Sequence, residues 1–362
     1  MKVDRRKFIA AGSAALSGAA LAQAARAAPA PRRLRDQRRI ATEEAFTTPE
    51  QAAALIALAG SNWRSLDLGL WADRTVEGAV GGHLALEGER VRIMDENGVA
   101  MQVLSLTSPG VQMFNADLGT EIAINANDRL FETIQRYPGR FAGLAAFAPQ
   151  DPARATKEME RAISKLGLNG FISNSHTNGE YMDDPKYWPI LEAAEALDRP
   201  IYIHPRSPSD AMIDAYGHYG MELAVWGYQA EVGLHAMRLI LGGIFDRFPN
   251  LKIVIGHMGK NIPFHLWRTD NKHRSERSPL KRKPSEYFVD NFVITTSGVR
   301  DHMPLDYSVK KLGADNVLWA VDFPYEDTRL AVEAMDSAPF SQEVINKIYY
   351  ENAERIFKIK NL

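Results

Sequence analysis

The sequence predicts an α/β fold of the (β/α)8 TIM barrel class, and three observations carry that expectation. Short apolar runs alternate with helix-period segments along most of a 362-residue chain. Eight such units in one chain favour a closed parallel barrel over an open doubly wound sheet, and no internal repeat or linker interrupts them. Several runs end on a carboxylate or an imidazole, at the strand ends where barrels place their chemistry. Composition agrees, since 45% hydrophobic and 24% charged residues suffice for a sizeable core. A net charge of -2 implies no nucleic-acid partner.

The chain opens on an export signal rather than on the fold. Asp4-Arg5-Arg6-Lys7-Phe8-Ile9 is a twin-arginine signature, and Ala25-Arg26-Ala27 resembles a signal-peptidase site. Residues 1–27 are therefore expected to be a signal peptide, 28–37 a flexible Pro/Arg-rich lead-in, and 38–362 a single catalytic domain. The stretch from Ile9 to Ala25 is too weakly apolar for a confident membrane span, so no stable membrane association is expected. The address is periplasmic. A chain without cysteine suits an oxidising compartment, and it has no disulfide, Cys-metal site or Cys nucleophile. Twin-arginine export carries folded proteins, which suits one that acquires a metal before crossing.

The strands expected in order are Arg39 to Phe46, Met101 to Leu106, Phe141 to Phe147, Gly170 to Ser173, Pro200 to His204, Leu251 to His257, Asn291 to Thr296 and Val317 to Asp322. Between them, helical periodicity covers Glu87 to Asn97, Glu121 to Tyr137, Ala153 to Leu166, Tyr187 to Asp198, Val232 to Phe248 and Pro304 to Leu312. The basic clusters Lys272 to Arg277 and Lys281 to Lys283 read as the solvated face of a long loop after the sixth strand.

Chemistry gathers at the strand ends. The first strand carries Glu43, the fifth ends at His204, the sixth at His257 and the eighth at Asp322. Singly, a strand-end histidine is more often a hydrogen-bonded loop residue than a ligand. Two carboxylates and an imidazole converging on one rim form an O/N site for a divalent metal, so Glu43, His204 and Asp322 are the expected ligands. Water or substrate would fill the open positions. His257, between Gly256 and Met258-Gly259, is read as an acid/base or polarising residue, and His176 is a further rim candidate. The position that would point with Glu43 is Ala45, which offers no ligand atom.

The run of motifs "IATEEAF", "IYIHP", "IVIGHMG" and "LWAVDFPY" is similar to the amidohydrolase-related decarboxylases, the family of γ-resorcylate, 2,3-dihydroxybenzoate and 5-carboxyvanillate decarboxylases. "VLSLTSPGVQ" (Val103 to Gln112), "NSHTNGEYMDDP" (Asn174 to Pro185) and "FVITTSG" look most like the carboxyvanillate type. The resemblance runs from about Arg39 to the C-terminus and implies an amidohydrolase-type barrel. It also accounts for Ala45. A subset of the family has Glu-x-Ala in place of Glu-x-His and binds its metal through one Glu, one His and one Asp. By position the resemblance makes Glu43, His204 and Asp322 the ligands and His257 the active-site histidine. It further implies that Arg90, Arg268 and Tyr325 contact substrate. One departure is Lys260, where the family has a glutamate that supports the histidine. A cation there favours neutral His257 or offers a charge to an extra anionic group.

The implied activity is metal-dependent, non-oxidative decarboxylation of a small hydroxylated aromatic acid, with Asp322 protonating the ring carbon that bears the carboxylate. The cofactor is one divalent ion, Mn, Zn, Mg or Fe. No organic cofactor is expected, and the resemblance suggests a homodimer or homotetramer. Two alternatives stay open: a metal-dependent hydrolase of a lactone or amide on the same barrel, and a periplasmic binding protein that keeps the pocket without turnover.

Overall fold

Eight parallel strands hydrogen-bond to one another in chain order: β1 (Ile40–Phe46), β2 (Met101–Leu106), β3 (Phe141–Ala146), β4 (Gly170–Ser173), β5 (Ile201–Ile203), β6 (Ile253–Ile255), β7 (Phe292–Thr295) and β8 (Val317–Leu318). The computed structural model describes residues 37–61, 66–82, 84–217 and 219–360. The expected signal peptide, and the lead-in up to residue 36, lie outside the described residues. Every residue of β1 to β8 is buried, because the barrel interior covers one face and helices the other. That is why the strands read as near-continuous apolar runs.

The eighth strand is shorter than expected. Beyond Leu318 the chain leaves the ladder, and its amides bond to side chains instead: Ala320 N donates to Thr296 Oγ1, while Val321 N and Phe323 N donate to Glu44. The barrel closes there through Thr42 N to Trp319 O at 3.2 Å, Ala45 N to Phe323 O at 2.7 Å and a single Glu44–Phe323 bridge. Against β2, strand β1 carries one extra residue between Ala41 and Glu44. Such a bulge re-aims side chains, and here it lies at Glu43.

The longer helices are α1 (Pro49–Ala59), α2 (Glu89–Glu96), α3 (Ala116–Arg136), α4 (Pro152–Ser164), α5 (Trp188–Ala196), α6 (Gly227–Leu241), α7 (Ile262–Lys272), α8 (Pro284–Asn291), α9 (His302–Leu312) and α10 (Thr328–Asp336). α3 begins before the expected Glu121 because the Asn115 side chain caps it, accepting from Leu118 N at 2.9 Å. The single helix expected from Val232 to Phe248 is instead α6 and a separate turn, Ile244–Arg247, divided where Gly243 takes φ 72. The segment after β6 is not one long loop. α7 and α8 occupy much of it, so Lys272 closes a helix and only the stretch 273–283 connects.

Candidate metal centre and active site

Glu43 is 3% exposed, and its two oxygens have different surroundings. Oε2 accepts from the hydroxyls of Tyr202, Ser297 and Thr295, the last at 2.9 Å. Oε1 has no hydrogen-bond partner. It faces His257 Nε2 at 3.4 Å and His204 Nε2 at 3.7 Å. Gly256 permits this placement, since a Cβ there would stand 2.5 Å from Glu43 Oε2 and 2.6 Å from Oε1.

Both imidazoles present lone pairs to that oxygen. His204 Nδ1 lies 2.9 Å from Pro205 O and His257 Nδ1 lies 3.0 Å from Ser297 O. A carbonyl only accepts, so each Nδ1 carries the hydrogen and each Nε2 is bare. Burial first, then Lys260, pushes His257 down to about 3, and burial likewise lowers His204. Asp322 completes the cluster with Oδ2 at 3.9 Å from His257 Nε2. Ligand atoms of Glu43, His204 and Asp322 all lie within 4.8 Å of one another. Bare acceptors facing one another repel unless a proton or cation lies between them, so this donor set fits a divalent ion bound through O and N.

The two carboxylates are held unequally. Burial opposes ionisation of Glu43, yet the nearby His257, His204, Lys260 and the Ser297 hydroxyl hold it below the usual carboxylate range. With the imidazoles neutral, the pull that persists is that of Lys260 and the donated hydroxyls. Burial and the charge of Glu43 drive Asp322 the other way, well above its ordinary value. Asp322 is therefore the more basic of the two carboxyls, the one better suited to take up and give back a proton.

Asp322 also sits at φ 77, a left-handed backbone that costs a non-glycine residue about 1–3 kcal/mol. Glu44 fixes it there. Its Oε1 accepts from Val321 N at 3.0 Å and its Oε2 from Phe323 N at 3.2 Å, the amides on either side of Asp322. Sequence reading passed over Glu44 as the second carboxylate of a pair. The only available signal was that both glutamates interrupt an otherwise apolar strand. Tyr202, Thr295 and Ser297, which hold Glu43, were missed as well, although Tyr202 alternates with His204 and Thr295 with Ser297.

The remaining sequence candidates are dispersed. Arg90 is 2% exposed on α2 and stands beneath β1, with Nε bonded to Ala85 O at 2.8 Å, Nη1 to Gln102 Oε1 at 3.0 Å and Nη2 to Ala45 O. Its guanidinium lies 4.7 Å from the Phe323 ring centroid, so it braces both sides of the β1–β8 seam. Arg268 is on the exposed face of α7, beside the exposed Phe264 and Trp267. Tyr325 lies at the mouth, its hydroxyl paired with Thr107 Oγ1. His176 is engaged at both ring nitrogens: Nδ1 accepts from Gly179 N and Nε2 donates to Ser207 O, each at 3.1 Å. It lines a cavity of about 1210 Å³ together with Arg206, Ser207 and Met113.

The amidohydrolase family model matches residues 80–359. Gamma-resorcylate decarboxylase of Polaromonas sp. is 37% identical over 289 residues, 76% of this chain and 88% of that protein. The crystal structure of 5-carboxyvanillate decarboxylase from Sphingomonas paucimobilis superposes with a TM-score of 0.86 at 49% identity, covering 89% of this chain and 99% of that one. 5-Carboxyvanillate decarboxylase from Novosphingobium aromaticivorans, complexed with manganese and 4-hydroxy-3-methoxy-5-nitrobenzoic acid, gives 0.85 at 36% identity over 90% of this chain and 97% of that one.

Proposed function

The chain belongs to the amidohydrolase family, and on that premise we propose that it is a carboxy-lyase removing CO2 from a hydroxylated aromatic acid. The observation that carries this reading is Glu43 Oε1, a buried carboxylate oxygen without a partner that faces two imidazole lone pairs and Asp322 at the barrel mouth. Glu43, His204 and Asp322 would hold a divalent ion there, supplying Lewis acidity and a fixed positive charge for the acid's oxygens. Manganese is the first choice, because relatives of known structure bind it.

The chain's own groups do the proton chemistry. Asp322, which burial and Glu43 make the more basic of the two carboxyls, would take the hydroxyl proton of the arriving acid and deliver it to the ring carbon that bears the carboxylate. The bond to that carboxylate then breaks, its electron pair restores the aromatic ring, and CO2 leaves. Neutral His257 presents Nε2 to the same space and accepts a hydrogen bond from the hydroxyl of the arriving acid. Tyr325 and His176 border the mouth and shape the entry.

The substrate is of the 5-carboxyvanillate type, a choice supported by the 49% identity to that enzyme over nearly its whole length. CO2 release from 5-carboxyvanillate, 2,6-dihydroxybenzoate and a set of lactones by manganese-loaded enzyme tests the reading. Hydrolysis of a lactone without CO2 release from any acid would overturn it. Exposed Phe264 and Trp267 suit α7 to a contact between copies in a homodimer or homotetramer. Arg5-Arg6 supports export by the twin-arginine route to the periplasm, which cell fractionation tests. Among the described residues no helix is long and apolar enough to cross a membrane.

A further inference from the structure

Lys260 follows His257 on the turn after β6, at φ 53. It is 3% exposed, and its Nζ has no hydrogen-bond partner. A buried ammonium in that condition is costly unless something supplies an anion. The neighbouring buried cations are already matched. Arg206 Nε is 3.1 Å from Asp67 Oδ2, and Arg90 has Glu44 beside three hydrogen-bond acceptors.

Lys260 has the field of Glu43 and Asp322, and its charge in turn acts on His204 and His257, so its ammonium lies within electrostatic reach of the metal cluster. Those two carboxylates are the groups a divalent cation would neutralise. Loading the metal therefore removes the counter-charge that keeps Lys260 protonated, and an anionic oxygen of the arriving acid would restore it.

We propose that Lys260 is a substrate-positioning residue whose ammonium binds an anionic oxygen of the aromatic acid beside His257. The inference rests on the reading of the mouth as an aromatic-acid site and adds the residue that recognises the ligand's charge. The anionic oxygen is either a retained carboxylate or the phenolate flank of the reacting group, and a pair of unreactive probes separates them. In 4-hydroxy-3-nitrobenzoate and 2-nitrophenol a nitro group replaces the departing carboxylate, and only the first keeps a carboxylate elsewhere on the ring.

Calorimetric titration of both probes into manganese-loaded wild type and Lys260→Met gives the answer. Loss of a charge-assisted hydrogen bond weakens binding roughly 10- to 100-fold. Weakening confined to the carboxylated probe assigns Lys260 to the retained carboxylate; weakening of both assigns it to the phenolate side. Either supports the proposal. Lys260→Arg, which keeps the charge, should recover part of the affinity, whereas a purely packing role would show no such recovery. Lys260→Gln serves if the methionine variant does not fold. Binding of both probes within about twofold of wild type overturns the proposal alone. Failure of the wild type to bind either probe overturns the reading of the site and this inference with it.

Discussion

Replacing Glu44 by glutamine tests whether the geometry of Asp322 is imposed from outside the ligand set. Both oxygens of Glu44 face donors: Val321 N on one side, Phe323 N and Gln102 Nε2 on the other, with the Arg90 guanidinium close by. No acceptor is left for a carboxylic O–H, so only the carboxylate makes all of these contacts, and because burial pushes the group up to about 8 that form dominates only above about pH 8. In Glu44→Gln one oxygen still serves one amide. The new NH2 opposes the other, and Arg90 loses its anion. An unsatisfied buried amide costs roughly 1–3 kcal/mol, and the left-handed Asp322 relaxes by a similar ~1–3 kcal/mol once unclamped. Restoring that conformation must then come out of metal binding, so affinity for manganese should fall roughly 10- to 100-fold. Below pH 8 wild-type Glu44 takes up a proton and resembles glutamine, so the gap between the two proteins should widen from about pH 6 to about pH 9. Chelator competition with a fluorescent metal indicator measures it. Equal affinity and equal kcat at both ends of that range would refute the clamp.

Three further outcomes follow from the same geometry. His204→Ala should lose stoichiometric metal and activity together, since the acceptors left around Glu43 then lack their neutral nitrogen ligand; elemental analysis showing one ion per chain would remove His204 from the ligand set. Gly256→Ala should fold yet bind metal at least about 100-fold more weakly, because its Cβ would stand 2.5 Å from Glu43 Oε2, and an unchanged manganese Kd would show that Glu43 tolerates displacement. Acid stability should be limited by His235 and His176, which burial lowers to about 3 and about 4 from 6.5. A lowered folded pKa means the unfolded chain binds more protons below about pH 6.5, so stability is lost as pH falls from there, by up to about 1.4 kcal/mol per pH unit for each imidazole. Denaturant unfolding between about pH 6.5 and 4.5 that shows no such slope would count against both.

The barrel was legible because its strands are buried on both faces, which leaves an apolar run with little else to be. Helices were less visible where no clear period announced them. α1 (Pro49–Ala59) is apolar nearly all round, and α7 has large exposed side chains at Phe264 and Trp267 that blur its stripe. Glu43, His204, His257 and Asp322 could be gathered from sequence because each ends or interrupts an apolar strand. Arg90 and Arg268 could not be placed from sequence alone: whether a helical arginine runs inward to the Ala45 carbonyl or outward to solvent depends on packing, not on spacing.

What sequence pattern could not reach at all was the support of the site, and the reason is conformational. His257, Met258 and Lys260 after β6, and Asp322 after β8, all take positive φ although none is glycine. A strand-end motif marks where the chain turns but not that it turns left-handed, and the handedness decides which side chains meet over the barrel. Such backbones persist only when the surroundings over-determine them. Ser297 is one such constraint: its Oγ accepts from His257 N at 3.0 Å and donates to Glu43 Oε2, while its carbonyl fixes the His257 tautomer. Glu44 is the other, holding the amides on both sides of Asp322. One serine and one glutamate thus orient three of the four groups at the centre while leaving Glu43 Oε1 open toward the metal's position. The preorganisation a metal site needs comes from residues that carry no ligand atom themselves.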